Sequence, residues 1–420
     1  MPNFKCHVLL ASVLASLSFS ANGSVEADDW RTWRGPSLNG IAAAGQTPVT
    51  DWSETKNVVW KAPIPGRGHS SPTIVGDRIF LTSADEKSRT QAVLGFDRNT
   101  GKQLWLTPVN QGALPARIHN KNTHASPTVV SDGERLYAAF CNHDAVQLVA
   151  LSFDGKVQWN KAVGAYRPER YEYGYAPSPA LFGGTVIVAS ESDTGSFLAG
   201  FRTDNGREVW RTPRPRRVSY SSPVVGRVAG RDQLLISGCD LVSSYDPQTG
   251  QPLWTAPGTA SATCGTMVWE GDLVFASGGY PKKETVCVRA DGSGTVVWRN
   301  QEKCYEQSML VYDGYVYAIN DGGIAFCWQA ETGREMWKAR LSGGAVSSSP
   351  ILANGNVYIA NERGTTYVFK ATPERFVAVA QNQLGDEAFA SPAVVDSQLY
   401  LRVASSARGD RQEFLYCIGR

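Results

Sequence analysis

From residue 57 onward the chain is built of short runs of alternating apolar and polar residues, cut every few positions by turn signals. Residues 71–75 and 78–83 flank Gly76-Asp77, a two-residue hairpin signal, and 91–97 and 101–106 flank Arg98-Asn99-Thr100. The first of these turns recurs as Gly183-Gly184, Asp313-Gly314 and Asn354-Gly355; the second recurs as Asp246-Pro247-Gln248-Thr249-Gly250 and Glu331-Thr332-Gly333. No segment sustains a helical period, so the pattern predicts an all-β chain made of repeated four-stranded units.

Two markers count the units. Tryptophans recur at Trp60, Trp105, Trp159, Trp210, Trp254, Trp298 and Trp337, about 40 to 55 residues apart, the length of one blade of a β-propeller. Out of phase with them run Ser71-Pro72, Ser126-Pro127, Ser178-Pro179, Ser222-Pro223, Ser349-Pro350 and Ser391-Pro392, with Thr266-Met267 and Ser308-Met309 filling the missing steps. The result is an eight-bladed β-propeller of antiparallel four-stranded blades over 57–420. The last unit ends after its third strand, whereas residues 57–61, around Trp60, supply a fourth strand before any first unit has begun. The N-terminal strand is therefore expected to close the ring inside the last blade, which protects edges that an open array would expose. Unit seven lacks the tryptophan and carries Phe376-Val377-Ala378-Val379 instead. Residues 28–56 are expected to form an extended arm on the propeller surface.

Composition narrows the function classes. Among 420 residues, 41 Lys and Arg against 39 Asp and Glu leave a net charge of +2, too little to gather nucleic acid or an anionic bilayer by bulk field. Lys5, an apolar run over 8–19 and the small-residue segment ending Val25-Glu26-Ala27 form a leader pattern. They predict a signal peptide over 1–27, cleavage near Ala27, and a periplasmic or secreted product. Cys6 precedes the apolar run, so it does not predict a lipid anchor. Seven cysteines remain beyond the leader, an odd number, which leaves at least one unpaired; Cys287, Cys327 and Cys417 fall at comparable third-strand positions and read as small buried hydrophobes.

The segments 96–105, 245–254 and 330–337 (FDRNTGKQLW, YDPQTGQPLW and AETGREMW) resemble the tryptophan-docking motif of pyrroloquinoline-quinone (PQQ) type propellers. In that motif a glycine leaves room for the indole of a neighbouring blade. The resemblance implies two branches: quinoprotein dehydrogenases holding PQQ and calcium in the axial funnel, and non-catalytic scaffolds such as the outer-membrane assembly lipoprotein BamB. The adjacent cysteine pair and the Cys-x-x-Cys-His haem site carried by members of the first branch do not occur here. The expected function is a monomeric binding or protein-interaction scaffold; the alternative is a PQQ- and calcium-dependent oxidoreductase of alcohols or sugars, with Glu306 as the first candidate base.

Strand alternation puts the long connections on one face: 107–125, 161–177 and 212–221 between blades, and 84–90, 277–285 and 405–412 within them. Binding concentrates on such loops. They carry Arg117, His119, Lys121, His124, Arg167, Arg170, Tyr171, Tyr173, Arg214, Arg216, Arg217 and Tyr220, cations interleaved with aromatics that suit a protein partner or an anionic or carbohydrate-like ligand. Two residues upstream of the Ser-Pro marker, the repeat aligns His69, His124, Ala176, Tyr220, Cys264, Glu306, Ser347 and Phe389, expected to ring the channel mouth. Equivalent positions on a wide ring do not converge to metal–ligand distances, so no metal site is expected.

Overall fold

A computed structural model describes Met1, residues 29–407 and residues 409–420; the leader expected over 1–27 lies outside these, apart from Met1. The described residues form eight four-stranded antiparallel sheets with no helix. Blade 1 comprises Thr73–Val75, Arg78–Asp85, Thr90–Asp97 and Gln103–Gln111. Six further blades follow in sequence, and blade 8 joins Ala393–Val395, Gln398–Ser405 and Gln412–Ile418 to Val58–Ile64. In that last sheet Lys61 pairs with Tyr416 and Ala62 with Leu415, so the two chain ends share one blade and close the ring. First strands of successive blades are neighbours and therefore line the axis. Middle strands are buried on both faces because each sheet is covered by the next. The outer strands alternate instead, as in Gln103–Gln111, where exposed and half-buried residues take turns.

The tryptophans sit on these outer strands, and each faces a small third-strand residue: Gly95 opposite Trp105, Ala150 opposite Trp159, Gly200 opposite Trp210, and Cys287, Cys327 and Cys417 opposite Trp298, Trp337 and Trp60. A Cβ on Gly95 would stand 2.4 Å from the Trp105 ring, so the indole itself dictates the small partner. All seven cysteines among the described residues are unpaired, and these three are fully buried.

Five of these indoles then donate to the turn of the following blade, whereas Trp254 donates to Gln233 of its own blade and Trp210 Nε1 is buried without a partner. Trp60 Nε1 donates to Arg98 O at 2.9 Å and its ring covers Gly101; Trp105 does the same to Phe153 O at 3.0 Å over Gly155, and Trp298 to Ala330 O at 2.7 Å over Gly333. The glycine is required twice over, by its positive φ (71° at Gly101) and by the ring lying where its Cβ would be. Trp337 donates to Thr372 O at 2.8 Å and meets Phe376 edge-on at 5.5 Å. Blade 7 has no tryptophan to pass on. Blade 8 offers no turn to receive one, because its fourth strand comes from the other end of the chain.

Residues 29–57 cross the axis on the short-turn face. Trp30 exchanges backbone hydrogen bonds with Ile74 of blade 1, Asn39 bonds Trp269 of blade 5, and Ala42 and Gly40 pair with Leu352 of blade 7. Arg34, 2% exposed, donates to Met309 O and Pro350 O at 3.0 Å each. Burial lowers its pKa to about 9.

Candidate functional site

A belt of hydroxyls explains the repeated serine and sets the geometry of the axis. The N–H of Ser71 donates to Thr128 Oγ1, that of Thr128 to Ser178 Oγ, and that of Ser178 to Ser222 Oγ, each at 2.9 Å. The series resumes from Thr266 to Ser308, Ser349 and Ser391, and Ser391 N–H closes it on Ser71 Oγ at 3.0 Å. The belt also corrects the sequence alignment. In blade 2 the member equivalent to Ser71 is Thr128, because Val130 pairs with Tyr137 as Thr73 does with Phe80. The ring position two residues upstream is therefore Ser126, not His124. The Ser-Pro marker slips by two residues there, and a sequence marker carries no register information of its own.

With that correction the ring is His69, Ser126, Ala176, Tyr220, Cys264, Glu306, Ser347 and Phe389, and all eight line one axial funnel of ≈ 350 Å³. Trp33, from the crossing N-terminal segment, closes it from below, while Tyr173, Tyr280 and Tyr305 wall its upper part. Tyr173 lies over Tyr220 at 5.9 Å, Tyr171 meets Tyr280 edge-on at 5.2 Å, and the Tyr220 hydroxyl donates to Tyr171 O. His69 stacks on Phe389 at 4.3 Å, and its Nε2 is buried without a hydrogen-bond partner. Burial, reinforced by Arg402, Arg67 and Arg411, holds His69 neutral far below its ordinary range; burial also lowers His119, with Lys121 adding to the effect. Burial pushes the Cys264 thiol well up, which leaves it a poor nucleophile.

One corner of the funnel is charged. Lys121 Nζ stands 2.6 Å from Glu362 and 3.7 Å from Glu306, and Ser347 Oγ contacts both carboxylates, Glu362 at 2.6 Å. Burial raises the Glu306 pKa. The Ser347 hydrogen bond and Lys121 oppose this, Glu362 and Asp321 add to it, and the net shift is upward. Burial works against the Lys121 charge as well, but its hydrogen bond to Glu362 and the two carboxylate charges more than offset it.

The other residues singled out from the sequence go elsewhere. Arg170, Tyr171 and Arg217 line a separate open groove of ≈ 850 Å³ with Arg216 and Lys282, and Arg217 pairs with Asp240 at 2.5 Å. Arg117 and His124 border a third, shallow site beside Tyr171, Tyr173 and His119. Arg167 lies on the surface 3.4 Å from Asp144. Arg214 is not a loop cation at all: fully buried, it pairs with Glu191 at 2.6 Å and donates to Ser243 and Tyr245. The expected loops are also shorter than their sequence ranges, because outer strands continue to Gln111 and to Ala165. Trp33 and Glu362 were missed, since neither lies on a long loop or at a ring position. Tyr305 adjoins the ring residue Glu306, a cue that was legible.

The funnel is where PQQ and calcium would sit in a quinoprotein, and its residues do not fit that pair. PQQ carries three carboxylates, whereas the permanent cation of the lining is Lys121, already held by Glu362. Among the described residues no group of three or more His, Cys, Asp or Glu side chains is arranged to hold a metal ion.

Comparison with known proteins agrees with this architecture. The family pattern PQQ_2, described as outer membrane protein assembly factor BamB, matches residues 39–170, 89–339 and 282–375. The assembly factor BamB of Bordetella pertussis is 22% identical over 352 residues, 78% of each chain. The crystal structure of BamB from Moraxella catarrhalis superposes with a TM-score of 0.61 at 15% identity, covering 86% of this chain and 96% of that one. A europium-containing methanol dehydrogenase superposes at 0.69 with 10% identity, covering 94% and 98%; likeness at such identity shows the fold alone. Eight four-stranded blades, tryptophans stapled over docking glycines and a family match spanning most of the ring lead to one conclusion: this chain belongs to the PQQ-repeat β-propeller family of the outer membrane protein assembly factor BamB.

Proposed function

We propose that this protein is an exported, monomeric scaffold that binds a protein partner through the face carrying its long loops. The supporting observation is the asymmetry of the two faces. The short-turn face is crossed and filled by residues 29–57, whereas the opposite face presents an open funnel beside a groove. Arg170, Arg216 and Lys282 stand at that groove with no partner for their side chains among the described residues. Unpaired cations next to tyrosines, held on an inflexible ring, favour recognition of another protein's polar surface. The leader pattern and membership of the family of the outer membrane protein assembly factor BamB support export.

Photo-crosslinkers placed at Arg170 and Arg216, and at Asn99 and Thr332 on the short turns, test the reading in cells producing the full chain. A discrete adduct from the loop face alone is expected. Equal adducts from both faces, or none, would overturn it, as would dye-linked oxidation of an alcohol or aldose on adding PQQ and calcium. Retention of the leader in the cytoplasmic fraction would overturn export.

A further inference from the structure

We infer that the axial funnel receives a single cationic side chain of the protein partner, a lysine or arginine, whose charged head lies between the Glu306–Glu362 corner and the tyrosine wall. The inference rests on the protein-binding reading above and gives it an anchor point.

Shape is the first reason. The funnel is closed from below by Trp33 and open toward the long loops, and ≈ 350 Å³ is at the small end of ligand sites, about 300 Å³ upward. It admits one side chain and excludes a folded segment. Charge is the second reason. Glu306 and Glu362 share one ammonium, Lys121, and one hydroxyl, Ser347, whose single proton cannot serve both carboxylates. His69 and His119 add no positive charge. A second cation would complete the pairing and favour the charged form of Glu306 against the burial that raises its pKa, whereas an anion would find no free cation. The wall is the third reason. Tyr173 and Tyr220 belong to the lining together with Trp33, while Tyr305 already holds Lys303 Nζ 5.1 Å from its ring centroid; ring faces attract cations more strongly where water is excluded.

The experiment is calorimetric titration of the mature protein with the acetylated methylamides of lysine, arginine and norleucine, the last being an uncharged analogue of lysine. Lysine or arginine amide should bind at least about tenfold more tightly than norleucine amide. Glu306→Gln should abolish that preference while leaving the thermal melt cooperative, and Lys121→Met, which removes the competing ammonium, should strengthen it. Equal binding of norleucine amide, tighter binding of glucose or citrate, or no binding of either cation at millimolar concentration would overturn the anchor. The scaffold reading is scored separately, by the loop-face crosslink in the Glu306→Gln background. An adduct of unchanged yield would leave the scaffold standing and sink the anchor; loss of the adduct in Glu306→Gln, with Arg170 still labelled in the parent, supports both.

Discussion

The indole of Trp52 stacks on the ring of Tyr358 with centroids 6.4 Å apart and planes 14° from parallel. The contact lies at the seam between blades 7 and 8, where no blade-to-blade tryptophan exists. Around it, Trp52 N–H donates to Asn382 Oδ1, Asn382 Nδ2 donates to Thr50 O, and the hydroxyls of Tyr358 and Tyr416 bond Pro48 O and Glu54. The residues preceding the closing strand thus replace the staple that ring closure removes.

Trp52→Ala should lower stability by about 3–5 kcal/mol, the range for a buried aromatic truncated to alanine. Hydrogen exchange should accelerate first in Ala378–Gln383 and Gln412–Ile418. Uniform acceleration around the ring would show that the seam is not held locally.

Two glycine substitutions separate backbone strain from docking. Gly76 and Gly101 both have positive φ, but a Cβ at Gly76 meets open space, whereas one at Gly101 would stand 2.5 Å from the Trp60 indole. Gly76→Ala should cost about 1–2 kcal/mol, and Gly101→Ala about 2–4 kcal/mol. Denaturant midpoints measure the difference, and equal costs would mean that the indole is free to move.

The hydroxyl belt has a built-in control. Ser391 Oγ accepts from Ser349 N–H at 2.8 Å, so Ser391→Ala strands a buried donor and should cost about 1–3 kcal/mol. Thr266 Oγ1 is buried with no partner, so Thr266→Val should be neutral or slightly stabilising. Urea unfolding of both variants checks the pair; a large loss in Thr266→Val would contradict the belt as drawn.

His69 makes stability depend on pH. Its folded pKa is lowered by burial and by Arg402, Arg67 and Arg411, so below about 6.5 the unfolded chain takes a proton that the native state refuses. Stability from this residue is complete above that value and falls as pH drops, by up to about 1.4 kcal/mol per pH unit. His69→Phe, which keeps a ring against Phe389, should lose less stability than the parent between pH 7 and 5. Parallel losses in urea unfolding at both pH values would show that His69 is protonated in the native state.

Local signals in this chain were strong enough to read the architecture without coordinates. Two-residue turns, docking glycines and a tryptophan on every outer strand but that of blade 7 recur in register, and Trp60 ahead of any first unit already implied which strand closes the ring. These features act between near neighbours or repeat with the blade, so order along the chain carries them. The site was legible only in part. Seven of the eight funnel positions followed from repeat equivalence, but the two-residue slip that exchanges Ser126 for His124 depends on strand register, which pairing between strands decides. Tertiary packing alone brought Trp33 beneath the funnel, Glu362 beside Glu306, and Arg214 into the interior against Glu191. In each case the partners are far apart in sequence or lie on different strands, and only burial and charge compensation in three dimensions select them.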